Sequence, residues 1–249
     1  MTSLLLGGLA AGLLLGWLCN IIIIRLSREQ GFVAWPPRCT RCGQPLKLWQ
    51  ILPLFGWLLQ AGRGRCCGKP LHWIYPVVEL LSMITIARLL TREGLSLTFF
   101  YLSFVAAMLL ITGAIDWLYR VIYTFPMLGS CVIVLLCALA LPQQTILNAF
   151  LGLFLAGFVF LLFYLLARLL FPGHGAPFGL GDVYLGMFLG AAFGLTRMMP
   201  VIFYGMLLAG IFSLVVIILR STGRSKHVYI SYGTFLCLGG LAVIIWRGL

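Results

Sequence analysis

Residues 99–116 read Phe-Phe-Tyr-Leu-Ser-Phe-Val-Ala-Ala-Met-Leu-Leu-Ile-Thr-Gly-Ala-Ile-Asp, an uncharged run closed by an aspartate. About 20 apolar residues in helical conformation cross the hydrocarbon core of a bilayer, so this stretch is expected to lie within a membrane helix at 95–116. The closing residue, Asp116, is one of only two aspartates in the chain; the other, Asp182, ends the tetrad Gly179-Leu180-Gly181-Asp182. A charged carboxylate held near hydrocarbon costs about 2.5–3.5 kcal/mol on insertion scales, which makes such a residue a candidate for function.

The rest of the chain repeats the pattern of the first stretch. Of 249 residues, 62% are hydrophobic and 9% charged, too apolar for a soluble core inside a polar shell. Apolar runs place spans at 4–24, 73–91, 95–116, 121–141, 145–170, 183–197, 199–219 and 229–246. The expected fold is therefore all-α, a polytopic membrane bundle of about eight helices. Nothing before residue 4 is basic, so no cleavable signal is expected and residues 4–24 should stay as a helix. Three regions follow: a first transmembrane helix (1–24), a polar loop domain (25–72) and a helix bundle (73–249).

Basic residues orient the bundle. The segment 25–72 carries eight Lys and Arg, and an eight-span chain puts it on the same side as Arg120, Arg168, Arg220, Arg224 and Lys226. Thirteen cations then face one side and four the other, so the first side is expected to be cytosolic, with both termini outward and both aspartates near the cytosolic face. The net charge of +12 expresses this bias and the anionic leaflet lipid it meets. It carries no signature of nucleic-acid binding.

The loop 25–72 also holds Cys39-Thr-Arg-Cys42 and, further on, Cys66-Cys67. A CxxC turn presents two thiolates to one tetrahedral Zn²⁺, and a second pair from a distant turn closes a structural site. Cytosolic placement argues against disulfides. Adjacent cysteines reach one metal only with backbone strain, so three readings stand: a Cys₄ zinc site, free thiols, or a site completed by another ligand such as His72. Cys19, Cys131, Cys137 and Cys237 lie in apolar runs and read as small core residues.

Two carboxylates brought within a few ångströms of each other cannot both ionise, so they share one proton and titrate as a pair. Gly179 and Gly181 suit a helix entry where backbone can approach an extended peptide. Against this stands a plainer reading, in which each aspartate is a solvated helix-end residue and Asp182 an N-cap. Glu79, within the second span, reads as a buried hydrogen-bonded carboxyl. His174 reads as a loop residue, and the Phe and Leu stripes of 150–171 as lipid-facing surface.

Taken in order, the motifs resemble those of the type IV prepilin peptidases, intramembrane aspartic proteases of the GxGD kind that process pilins and pseudopilins. The stretch Gly16–Leu26 (GWLCNIIIIRL) is similar to the family's first helix, with Asn20 and Arg25 in the matching places. The CxxC is followed by LPLFGWLL (52–59), Gly64-Arg65-Cys66, Tyr75-Pro76-Val77-Val78-Glu79, Ile115-Asp116, the GLGD tetrad with Gly190 and Gly194, and Tyr232-Gly233-Thr234-Phe235-Leu236. The resemblance implies that Asp116 and Asp182 are catalytic, that Gly179, Gly181, Glu79, Asn20 and Arg25 support or contact substrate, and that Cys39, Cys42, Cys66 and Cys67 form the metal site. It implies an inner-membrane enzyme that removes the short basic leader of a prepilin or pseudopilin precursor. In many relatives the new N-terminus is also methylated from S-adenosylmethionine.

The chain departs from the family in three places. The second CxxC is contracted to Cys66-Cys67, Tyr123-Thr124 replaces a Pro-Asp after the first aspartate, and Tyr184 replaces a Lys after the second. Two rivals belong to other classes. A proton-coupled transporter would need midplane acids and repeat symmetry, neither of which is evident, and a protease-dead assembly factor is disfavoured by the intact pair of aspartates.

Overall fold

The computed structural model describes residues 2–26, 39, 42–45, 47, 50, 52–170, 178–221 and 231–247. Within them the chain is helical, with α1 Thr2–Leu26, α2 Phe55–Leu59, α3 Ile74–Glu93, α4 Leu97–Tyr119, α5 Thr124–Ala138, α6 Ile146–Leu170, α7 Leu180–Ser221 and α8 Tyr232–Arg247. The one extended pairing among the described residues is an isolated bridge between Arg63 and Pro70. Five helices are long and apolar enough to cross a membrane (α1, α3, α4, α6 and α7), and α5 and α8 are shorter apolar helices. The chain forms two compact units, Met1–Leu95 and Ser96–Leu249.

In the first unit α1 and α3 run antiparallel on a stripe of small residues. A Cβ at Gly8 would meet the backbone of Ala87, one at Gly12 that of Met83, and one at Gly16 that of Glu79, all closer than real side chains allow. Spacing by four keeps the three glycines on one face, so the backbones approach without intervening side chains and dispersion and packing replace a hydrophobic drive that lipid cannot supply. The register then brings Asn20 opposite Tyr75 and Glu79.

In the second unit α4 is buried along most of its length, and α8 packs against both α4 and α7. The long segment α7 is two arms. Gly194 has φ 68° and ψ 171°, which interrupts the helix, and the chain reverses there. Gly181 and Gly233 both abut Ile122, at one end of the unit, while Gly240 contacts Leu189 and Phe193 further along. Beyond the break, Gly239 meets Val201, Gly205 meets Leu236, and Phe212 lies 5.1 Å from Phe235, back toward the first end. The expected spans 183–197 and 199–219 are thus the two arms, but the reversal falls at Gly194, earlier than the apolar runs indicate.

Breaking a helix in an apolar environment frees backbone groups that must find partners. Here side chains supply them. Tyr101 Oη donates to Ala192 O at 2.8 Å and Gln144 Nε2 to Ala191 O at 2.7 Å, while Leu195 N–H donates to Asn148 Oδ1 at 3.1 Å. Gly152 and Gly190 let α6 lie against the first arm in backbone contact. The outer face of α6 exposes Phe150, Phe154 and Phe158, as the stripe reading expects.

Candidate active site

Asp116 lies one turn inside the C-terminal end of α4 and is 6% exposed, which removes the reading of a solvated helix-end residue. Its carboxylate faces the first turn of α8. Thr234 N–H donates to Oδ2 at 2.7 Å, and Thr234 Oγ1, with one proton to donate, lies 3.0 Å from the same oxygen and 3.0 Å from Gly113 O. The backbone carbonyl of Asp116 accepts from Ser231 Oγ at 3.1 Å and from the N–H of Arg120, a left-handed cap with φ 57°. The carboxylate therefore takes up an amide of α8 that no intrahelical carbonyl can satisfy, at the positive end of that helix.

Asp182 is the third residue of α7. Its Oδ2 accepts from Gly179 N–H at 3.0 Å, the third-residue half of a capping box, while its own N–H donates to the backbone Gly179 O at 3.1 Å. The plain reading of Asp182 as the N-cap is corrected: Gly179 holds that place, and Asp182 reaches back to its N–H from within the first turn. That contact does not exhaust the residue. Gly181, the residue before Asp182, and Gly233, which abuts Asp116, both lie against Ile122, so the two aspartates occupy the same end of the unit.

Ile122 is the pivot of this end of the unit. A Cβ at Gly181 would lie 2.8 Å from Ile122 Cβ, and one at Gly233 would lie 3.0 Å from both Ile122 Cδ1 and Asp116 Oδ2. Glycine at 181 and 233 is what allows the N-termini of α7 and α8 to close on Ile122 and Asp116. Gly179 has open surroundings apart from Asp182. Phe178 packs on Tyr232 with ring centroids 5.4 Å apart and planes tilted by 49°, and tightens the same end. Thr234, Ser231 and Ile122 had no role assigned from sequence. Of the three only Thr234 lies in a quoted motif, that at 232–236, which marked the place without indicating the hydrogen bonds.

In the first unit Asn20 and Glu79 are hydrogen-bonded to each other. Glu79 is 6% exposed and accepts from Asn20 Nδ2 at 2.9 Å on Oε1 and from Leu54 N–H at 2.7 Å on Oε2. Asn20 also donates to Tyr75 O at 3.0 Å. Leu54 caps α2 with φ 55°, a conformation a leucine rarely adopts, and its amide is held by the Glu79 carboxylate. Of the two readings of Glu79, the buried hydrogen-bonded carboxyl is the one its contacts describe. Arg25 stands in the last turn of α1, and His174 lies outside the described residues.

The four loop cysteines converge. The Sγ atoms of Cys39, Cys42, Cys66 and Cys67 all lie within 4.8 Å of one another, and Cys42 Sγ is 3.3 Å from Cys66 Sγ. Tetrahedral Zn²⁺ with bonds of about 2.3 Å needs sulfurs about 3.8 Å apart, so the donor set and its spacing fit that ion. His72 is not in the group; its Nδ1 accepts from Ile74 N–H at 3.3 Å. Hydrogen bonding to the thiols of Cys42 and Cys39 pushes the Cys66 thiol up to about 12. A divalent cation among the sulfurs would reverse that preference by favouring thiolates. Of the other cysteines, Cys19, Cys131 and Cys237 are buried and Cys137 is half-buried.

Fold and site together define a polytopic helical membrane protein with two aspartates at the end of the bundle where Ile122 meets Gly181 and Gly233. The chain belongs to the type IV leader peptidase family. Residues 102–214 match that family's profile, and residues 10–92 match the bacterial peptidase A24 N-terminal domain. Among its relatives, the prepilin leader peptidase/N-methyltransferase of Dickeya chrysanthemi is 30% identical over 69% of this chain and 70% of that protein. The protein of the same name from Xanthomonas campestris pv. campestris is 28% identical over 94% of this chain and 88% of its own length. That from Aeromonas salmonicida is 28% identical over 84% and 70%. No solved structure matches the chain.

Proposed function

We propose that this protein is an intramembrane aspartic endopeptidase that removes the short basic leader of type IV prepilin or pseudopilin precursors, with Asp116 and Asp182 as its catalytic pair. The observation that carries the reading is the gathering around Ile122 of Asp116 and of the helix start that bears Asp182, where glycines at 181 and 233 let three helix ends converge. One carboxylate, ionised, takes a proton from water. The water attacks the scissile carbonyl while the protonated partner polarises its oxygen and then protonates the leaving amine. Thr234 holds Asp116 by one oxygen, and Gly179 N–H holds Asp182, so each carboxylate keeps its orientation through the cycle. Gly179, whose surroundings are open apart from Asp182 and its own turn, leaves room for an extended substrate backbone.

In this reading the protein resides in the bacterial inner membrane and the pair lies near the cytosolic face, where a basic leader is retained by the same charge rule that orients the enzyme. The four cysteines would hold a structural Zn²⁺, tying together the two turns of the polar loop. Methylation of the new N-terminus from S-adenosylmethionine is the second activity, supported by the names of the relatives.

The test uses the purified protein and a leader-bearing pilin precursor. Mass spectrometry should record loss of the leader and, with S-adenosylmethionine present, the gain of one methyl group on the mature chain. An intact precursor after incubation with folded protein would overturn the peptidase reading, and a cleaved but unmethylated product would overturn the second activity alone.

A further inference from the structure

The two cysteine turns share one backbone design. In the first, Gly43 N–H donates to Cys39 O at 3.0 Å and Cys39 N–H to Gln44 O at 2.8 Å. In the second, Gly68 N–H donates to Gly64 O at 2.7 Å and Gly64 N–H to Lys69 O at 2.9 Å. The closing glycines are both left-handed, with φ 74° at Gly43 and 67° at Gly68. Matching hydrogen bond to hydrogen bond pairs Cys42 with Cys67, Gly43 with Gly68, and Cys39 with Gly64. Cys66 then corresponds to residue 41, an arginine and no ligand.

Position 64 faces the sulfurs. A Cβ built on Gly64 lies 3.6 Å from Cys67 Sγ and 3.8 Å from Cys66 Sγ, at ordinary contact distance. Its φ is not left-handed, so a side chain there meets no backbone strain.

We infer that Gly64 is a vacated metal-ligand position and that Cys66 is its replacement, a fourth ligand held outside the repeated turn and therefore the first to leave the metal. Cys39, Cys42 and Cys67 make the firm part of the site, each at a position the turn's hydrogen bonds repeat. Cys66 shares its backbone with the neighbouring ligand Cys67, and consecutive side chains reach one ion only if the chain between them gives. The inference rests on the reading of the four cysteines as a metal site.

The experiment loads the full chain in detergent with Zn²⁺ and follows release to a chromophoric chelator, and loads it with Co²⁺ and counts thiolate ligands from the charge-transfer absorbance. Cys66→Ser should retain about one equivalent of metal, release it faster than wild type, and show one thiolate fewer. Cys67→Ser should retain none. Gly64→Cys combined with Cys66→Ser should regain four thiolates and release Zn²⁺ more slowly than wild type, on the scale of the roughly 10–100-fold that the support around a ligand is worth at such sites. Equal loss of metal in the two single variants would overturn the inference, as would a double variant that releases Zn²⁺ as fast as wild type. The two single variants decide the matter even if the double variant fails to fold. A wild-type protein that binds neither ion would overturn the metal reading itself and this inference with it.

Discussion

Glu79 and Asp116 are both buried carboxylates, each 6% exposed, and each accepts a backbone N–H from the start of a helical segment. They differ in how their oxygens are used. Both oxygens of Glu79 are taken, one by Asn20 and one by Leu54, whereas both Thr234 contacts to Asp116 fall on Oδ2. Asp116 also shares the Ile122 end of its unit with Asp182. Burial alone marks a carboxylate that is costly to keep. A free oxygen and a neighbouring acid mark one that can do chemistry.

The sharpest way to break this contrast is to make the same isosteric change at both residues. Asp116→Asn keeps an oxygen for Thr234 and turns its amide nitrogen away, so the fold should survive. Cleavage should fall on the order of 10²–10⁴-fold, the scale of a lost acid or base. Glu79→Gln has no orientation that satisfies both Asn20 and Leu54, so thermal unfolding in detergent should show a loss of about 1–3 kcal/mol, while the folded protein still cleaves. Loss of cleavage with unchanged stability in Glu79→Gln would erase the distinction.

A smaller effect sharpens the geometry around Asp116. Thr234→Val removes the hydroxyl beside Oδ2 but leaves the backbone N–H in place. The loss of about 1 kcal/mol of positioning should lower the cleavage rate about fivefold. An unchanged rate would mean that the amide alone orients the carboxylate.

Smaller still is the response to crowding. Gly233→Ala places a methyl group 3.0 Å from Asp116 Oδ2 and from Ile122 Cδ1, which should shift the carboxylate by a few tenths of an ångström and slow cleavage severalfold. Because the second contact is the tip of Ile122, Ile122→Val in the same chain should recover part of the rate. If the companion change recovers nothing, Ile122 is not what confines Asp116.

The apolar runs made most of the bundle legible. The span expected at 145–170 is Ile146–Leu170, and that at 95–116 is Leu97–Tyr119. The run 121–141 forms only Thr124–Ala138, because hydropathy continues through Leu139 and Leu141 after the helical hydrogen bonds stop. The reversal at Gly194 was less legible for a related reason. Its broken backbone is held by Tyr101, Gln144 and Asn148, partners 47 to 91 residues away in sequence, and no local pattern encodes such a match. At the site, the aspartates declared themselves by their cost in an apolar chain, while Thr234, 118 residues from Asp116, looks in sequence like any helix-start threonine. The cysteines were legible as ligands by residue type. Their convergence was not, because spacing alone conceals that two turns of different sequence share one hydrogen-bonding frame.

The most direct test of the pairing of Asp116 with Asp182 is a double-substitution cycle on leader cleavage, with Asp116→Asn, Asp182→Asn and the combined variant purified alike and shown to be folded. Groups that act as one unit lose their effect together, so each single change should abolish all but residual cleavage and the combined variant should be no slower than either. Near-normal cleavage by either single variant, or losses that simply multiply in the combined one, would contradict a shared catalytic role.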